Sequence, residues 1–86
     1  ISLSQNYPNP FNPATTISFS LEREYSHVEL DVINMLGQTV SRHTFNNLPA
    51  GSHSLEFDAS GLSSGVYFYR LSAGNITLTK KMTLLK

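Results

Sequence analysis

Gly65-Val66-Tyr67-Phe68-Tyr69-Arg70-Leu71-Ser72-Ala73-Gly74-Asn75-Ile76-Thr77-Leu78 is the stretch that decides the fold. Side chains in it alternate with period two, the signature of a strand with two distinct faces. Tyr67, Tyr69 and Leu71 share one face, and Val66, Phe68 and Arg70 share the other. The tyrosine face is assigned inward, because the opposite parity would desolvate the Arg70 guanidinium. Phe68 is then partly exposed or covered by a neighbour. Gly74-Asn75, flanked by Ala73 and Ile76, is a tight-hairpin signal. The returning strand places Ile76, Leu78, Met82 and Leu84 inward. Lys80 interrupts that face, which marks a strand end, a bulge or a snorkelling side chain.

The same period recurs upstream. Thr15, Ile17, Phe19 and Leu21 alternate with polar residues, and so do Val28, Leu30 and Val32. Asn34-Met35-Leu36-Gly37 is a turn, with Gly37 free to take positive φ. Thr39 to Phe45 is a shorter, less regular strand, and Asn46 to Gly51 is a second turn cluster. His53, Leu55 and Phe57 alternate with Ser52, Ser54 and Glu56. Asp58 to Gly65 is the longest loop, with Leu62 alone in it as a plug for one end of the core. About six or seven short strands and no helical period predict two packed sheets, an all-β, immunoglobulin-like or fibronectin-like β-sandwich of about seven short strands.

Ahead of the sandwich (14–86), residues 1–13 form a proline-rich leading segment. Pro8, Pro10 and Pro13 cannot donate to a central ladder. The segment is read as an ordered edge, with Tyr7 and Phe11 as anchors. Ile1 does not resemble a natural start, so the chain is expected to be the C-terminal piece of a longer protein.

Composition bounds the function. At 86 residues the chain is a single domain, and it contains no cysteine, which removes disulfides and thiolate metal sites. Six basic and six acidic residues cancel, leaving no excess charge for nucleic acid. No run is long enough to span a membrane as a helix. His27, His43 and His53 lack metal-ligand spacing. Glu29 and Asp31 share a solvent face, a poor place for an acid–base pair. Asp58 is expected to cap its own turn. The serines at 60, 63 and 64 do not form a nucleophile elbow, and Gly61 and Gly65 are not a phosphate loop. No catalytic residue, metal ligand or cofactor is expected. Lys80, Lys81 and Lys86 bracket the last strand, as charges that gate an edge against aggregation or as a terminal recognition signal.

Five ordered motifs carry a family resemblance: Tyr7-Pro8-Asn9-Pro10-Phe11-Asn12-Pro13-Ala14-Thr15-Thr16-Ile17, Val32 to Val40 around Leu36-Gly37, Leu48-Pro49-Ala50-Gly51, Gly61 to Tyr67, and the terminal Lys80 to Lys86 strand. Together the chain resembles the type A C-terminal sorting domain of the type IX, or Por, secretion system of Bacteroidetes. The resemblance implies a non-catalytic signal that directs an upstream cargo from the periplasm through an outer-membrane translocon. It also implies a surface sortase that removes the domain and attaches or releases the cargo at the cell surface. By that analogy Gly61, Gly65, Val66, Tyr67, Lys80, Lys81, Leu84, Leu85 and Lys86 are the recognition candidates. Tyr7, Phe11, Ile17, Phe19, Leu30, Val32, Gly37, Leu55, Phe57, Leu62, Tyr69, Leu71, Leu78 and Met82 hold the fold. A second reading is an accessory carbohydrate-binding or structural sandwich of a secreted multidomain protein, with Phe68 and Tyr25 as the only candidates for an aromatic platform.

Overall fold

Alternation in the sequence becomes two antiparallel sheets in the computed structural model, which describes residues 1–86. The strands are β1 (Ser2–Leu3), β2 (Ala14–Leu21), β3 (Tyr25–Ile33), β4 (Thr39–Leu48), β5 (Gly51–Asp58), β6 (Gly65–Ala73) and β7 (Ile76–Leu84). One sheet has the order β1-β2-β5 and the other β4-β3-β6-β7. Every paired strand runs antiparallel to its neighbour. The inner faces meet in one apolar core that includes Ile17, Phe19, Leu30, Val32, Phe57, Tyr69, Leu71, Met82 and Leu84. Leu55, Leu62 and Leu78 pack against it from partly buried positions. This is the sandwich that the spacing predicts.

The leading segment is more tightly built in than the sequence suggests. Ser2 and Leu3 pair with Ser20 and Phe19, so β1 belongs to the three-stranded sheet. Further along, Phe11 is buried and forms a parallel bridge with Leu84 in the other sheet. Residues 1–13 therefore start in one layer and finish against the other, closing the side of the sandwich where β1 and β7 lie. Tyr7 corrects the expected anchor. Its side chain is 80% exposed, because the neighbouring Asn6 takes the inward position. The backbone of Tyr7 does the holding, through reciprocal bonds with Thr16 of 3.0 and 2.9 Å.

Two further expectations change. Strand β4 continues to Leu48, past the predicted turn residues Asn46 and Asn47. Asp31 does lie on the outer face, yet it is only 3% exposed. Its carboxylate accepts from Arg42 Nε at 3.2 Å and from Arg70 Nη2 at 3.4 Å. The two arginines reach across from β4 and β6 and shield it from water. Arg42 is thereby held above the ordinary guanidinium range, chiefly by its bond to Asp31.

The turns match their residue types. Gly37 has φ +84°, and Asn34 Oδ1 accepts from the backbone N–H groups of Leu36 and Gln38 at 2.9 and 3.0 Å. Gly74 has φ +57°, and a Cβ there would stand 3.2 Å from the Tyr25 ring. Both demands favour glycine.

Candidate functional site

Strand register places the sequence-derived recognition residues. Gly65 pairs with Leu84, Ala14 pairs with Asp58, and the backbone N–H of Ala59 reaches the carbonyl of Pro13 at 2.9 Å. One end of the sandwich thus gathers the 59–64 loop, the start of β6, residues 9–13 and the C-terminal residues. We call this the tail pole. The Asn34–Gly37 turn ends β3 on the same side, because Ile33 pairs with Phe68. Ile1 lies at the opposite pole, where its amino group stands 3.2 Å from Glu22.

The tail is held rather than free. Lys86 Nζ donates to the Ser60 carbonyl at 2.7 Å, and its backbone N–H donates to Ser64 Oγ at 2.9 Å. Asp58 Oδ1 accepts from the N–H of Ser60 at 2.9 Å, the turn cap expected of an Asp at that position. Tyr67 Oη donates to the Ser63 carbonyl at 2.7 Å. On the other flank, Phe11 N–H donates to Thr83 O and Leu85 N–H donates to Phe11 O, both at 3.0 Å. Asn9 Oδ1 accepts from Thr83 N–H at 3.0 Å, and Gln5 Nε2 donates to Lys81 O at 2.8 Å. The free edge of β7 is therefore covered from Lys81 to Leu85.

The candidates separate by exposure. Gly61, Leu85, Lys81 and Lys86 are exposed, and Gly65, Val66 and Lys80 are partly buried. Tyr67 and Leu84 are buried in the core, so their side chains shape the pole from beneath. Lys80 and Lys81 stand mid-strand, opposite Tyr69 and Phe68, away from the pole. Pairing between β6 and β7 runs unbroken through Lys80, so there is no bulge. Lys80 keeps the inward parity, opposite Tyr69, and is partly buried.

A buried polar cluster behind this pole is absent from the sequence reading. Tyr69 Oη accepts from the Asn6 N–H at 2.9 Å and donates to the Ser4 carbonyl at 2.7 Å. Burial raises the Tyr69 hydroxyl above the usual tyrosine range. The Asn6 amide donates to Pro8 O at 3.1 Å and to Thr15 Oγ1 at 3.0 Å, and Thr15 Oγ1 donates to Pro8 O at 2.9 Å. Asn6 and Thr15 are both 2% exposed. The one available signal was Thr15 at inward parity, a hydroxyl that must find a partner when buried.

The histidines have structural settings. His43 Nε2 lies 2.9 Å from Ser41 Oγ, His53 Nε2 lies 2.8 Å from Pro49 O, and the exposed His27 lies 3.3 Å from Glu29. No group of three or more His, Asp or Glu side chains is gathered as a metal would need, and the surface holds no pocket. Tyr25 is buried beneath Arg23, whose guanidinium carbon is 3.9 Å from the ring centroid, and it bonds Glu22 at 2.8 Å. It shares no flat surface with Phe68.

A seven-stranded antiparallel sandwich with its tail tethered to the loop at one end defines a class, a small all-β module. The model of the secretion system C-terminal sorting domain family matches residues 5–84, and the chain belongs to that family. It is a C-terminal sorting signal for type IX secretion, a kind of domain without catalysis of its own. It serves a type IX system and a cargo region, and it implies delivery to the cell surface or the extracellular space. No curated protein matches the chain.

Proposed function

We propose that the tail pole is the surface by which this domain is read. In this reading an outer-membrane translocon engages the folded domain from the periplasm, and a surface sortase later separates it from its cargo. The contact residues are Gly61, Gly65, Val66, Leu85 and Lys86, with Lys80 and Lys81 flanking along β7. Tyr67 and Leu84 act through the shape they give the pole. The observation that carries the reading is the tether of Lys86 to Ser60 and Ser64, which fixes the tail against the glycine loop as one rigid surface. A preorganised surface loses less entropy when bound.

The test fuses the chain to a periplasmic reporter in a type IX host. Export of the reporter is expected. Removing Leu85 and Lys86 leaves the paired part of β7 intact and is expected to keep the fold while trapping the reporter in the periplasm. Export at the normal level by the truncated fusion would refute the assignment of the pole.

A further inference from the structure

Of the large apolar side chains left outside the core, Met35, Leu36 and Val40 gather at the β3–β4 hairpin, whereas Tyr7, Ile76 and Leu85 lie elsewhere. Met35 is 68% exposed and Leu36 is 83% exposed. The turn does not need them. Its shape comes from Asn34, Gly37 and Gln38: Asn34 N–H donates to Gln38 O at 2.9 Å and Gly37 N–H donates to Asn34 O at 3.0 Å. Asn34 Nδ2 also donates to Gln38 Oε1 at 2.8 Å. The two central positions of such a turn accept almost any residue, and polar ones would suit water better.

Three more observations converge there. The register between β3 and β4 slips at Val32/Ile33, so that Ile33 pairs with Thr39 and Val32 with Ser41. Val40 is the extra residue of this bulge and is itself exposed. Bulges at a strand end re-aim the neighbouring side chains. On the outer face beside the hairpin, Ile33 pairs with Phe68, and both are half-buried. Met35, Leu36 and Val40 thus extend an apolar strip that begins on the sheet. Its electrostatics define the partner's chemistry. Residues 33–41 contain no charged side chain. In the next row along the sheet, Arg42 and Arg70 are both engaged by Asp31. The exposed cation in the strip's own row is Lys81, paired with Phe68 on the strand farthest from the hairpin. An anionic lipid surface would require a cluster of free Lys or Arg beside the apolar tip, and one lysine does not make it. An uncharged apolar socket in a protein matches what is present.

The geometry points to the Met35–Leu36 tip as a second recognition element, a rigid plug that inserts into a concave, uncharged apolar socket on the export machinery. This deepens the sorting-domain reading and rests on it for the partner. Side chains that fill a pocket from a preformed turn dominate binding more than their number suggests.

The test uses the intact chain fused to a reporter and the purified outer-membrane export complex of a type IX host. Wild type is expected to bind. Met35→Asn/Leu36→Asn is expected to keep its melting temperature and to bind on the order of tenfold more weakly or worse. The apolar swap Met35→Leu/Leu36→Met should restore binding. Ile76→Thr, at the other end of the sandwich, should bind as wild type. Equal binding by the Asn variant overturns the plug while leaving the sorting reading intact. No binding by wild type overturns both. Wild-type binding to anionic phospholipid vesicles that the Asn variant loses, or a wild-type dimer that the Asn variant dissolves, would also overturn the protein socket.

Discussion

Replacing Tyr69 with Phe tests how the leading segment is fixed. The ring is fully buried and would stay in place. What disappears is one oxygen that serves the Asn6 N–H at 2.9 Å and the Ser4 carbonyl at 2.7 Å. Two backbone groups then lose their partner in a region where Asn6 is itself buried. A hydrogen bond contributes about 0.5–1.5 kcal/mol net, and a stranded buried group costs about 1–3 kcal/mol. Partial access of water to the loosened segment offsets some of this, which leaves about 2–3 kcal/mol. For a domain of this size that corresponds to a fall in melting temperature of about 10–20 °C. Urea denaturation monitored by circular dichroism reads the global effect. Amide exchange at Asn6 reads the local one, and its protection is expected to collapse before that of β6. A melting temperature within about 3 °C of wild type, together with unchanged protection at Asn6, would show that Tyr69 does not hold the segment.

Other side chains make equally definite tests. Asp31→Ala leaves Arg42 and Arg70 facing each other without their shared carboxylate, and a loss of about 1–2 kcal/mol is expected in urea titrations; Glu29→Ala, a more exposed site, should change stability by less than about 0.5 kcal/mol. Gly74→Ala meets both the left-handed backbone and the Tyr25 ring, and should cost about 1–2 kcal/mol. Gly61→Ala, with open space around it, should stay within about 0.5 kcal/mol, as thermal melts would show. Alkali should weaken the fold. Tyr69 is raised above 10.0 by burial, and Tyr25 is raised by its bond to Glu22. Unfolded tyrosines ionise first, so stability is fully present below pH 10.0 and falls as pH rises through the folded values. Melts taken across that range should show a shallower decline for Tyr69→Phe.

Side-chain alternation made the strands legible. The parity argument at Arg70 oriented β6 correctly, because a guanidinium has few places to go inside a small core. The hairpin at Gly74-Asn75 was equally plain. What the chain concealed was nonlocal. Asp31 reads as solvent-facing until two arginines from neighbouring strands are laid beside it. Tyr7 reads as an anchor until the inward position is seen to belong to Asn6, a polar residue whose backbone N–H meets Tyr69 and whose amide meets Thr15 only in the folded chain. The cover over β7 depends on Gln5, Asn9 and Phe11 meeting a strand some seventy residues away, and no periodicity encodes that meeting. The glycine loop and the tail were separate motifs in sequence, and antiparallel pairing of β6 with β7 made them neighbours.

Ile1 and Lys86 leave the sandwich at opposite ends of a body whose longest extent is 37 Å. A segment joined ahead of Ile1 starts from the pole opposite the glycine loop, with the length of the sandwich between them. On the proposed reading of the tail pole, a passenger can vary in size and shape while the surface that is read stays in view. The same layout aligns tension between the two ends with the strands, so that a pull shears the β1–β2 ladder as a block instead of unzipping it bond by bond.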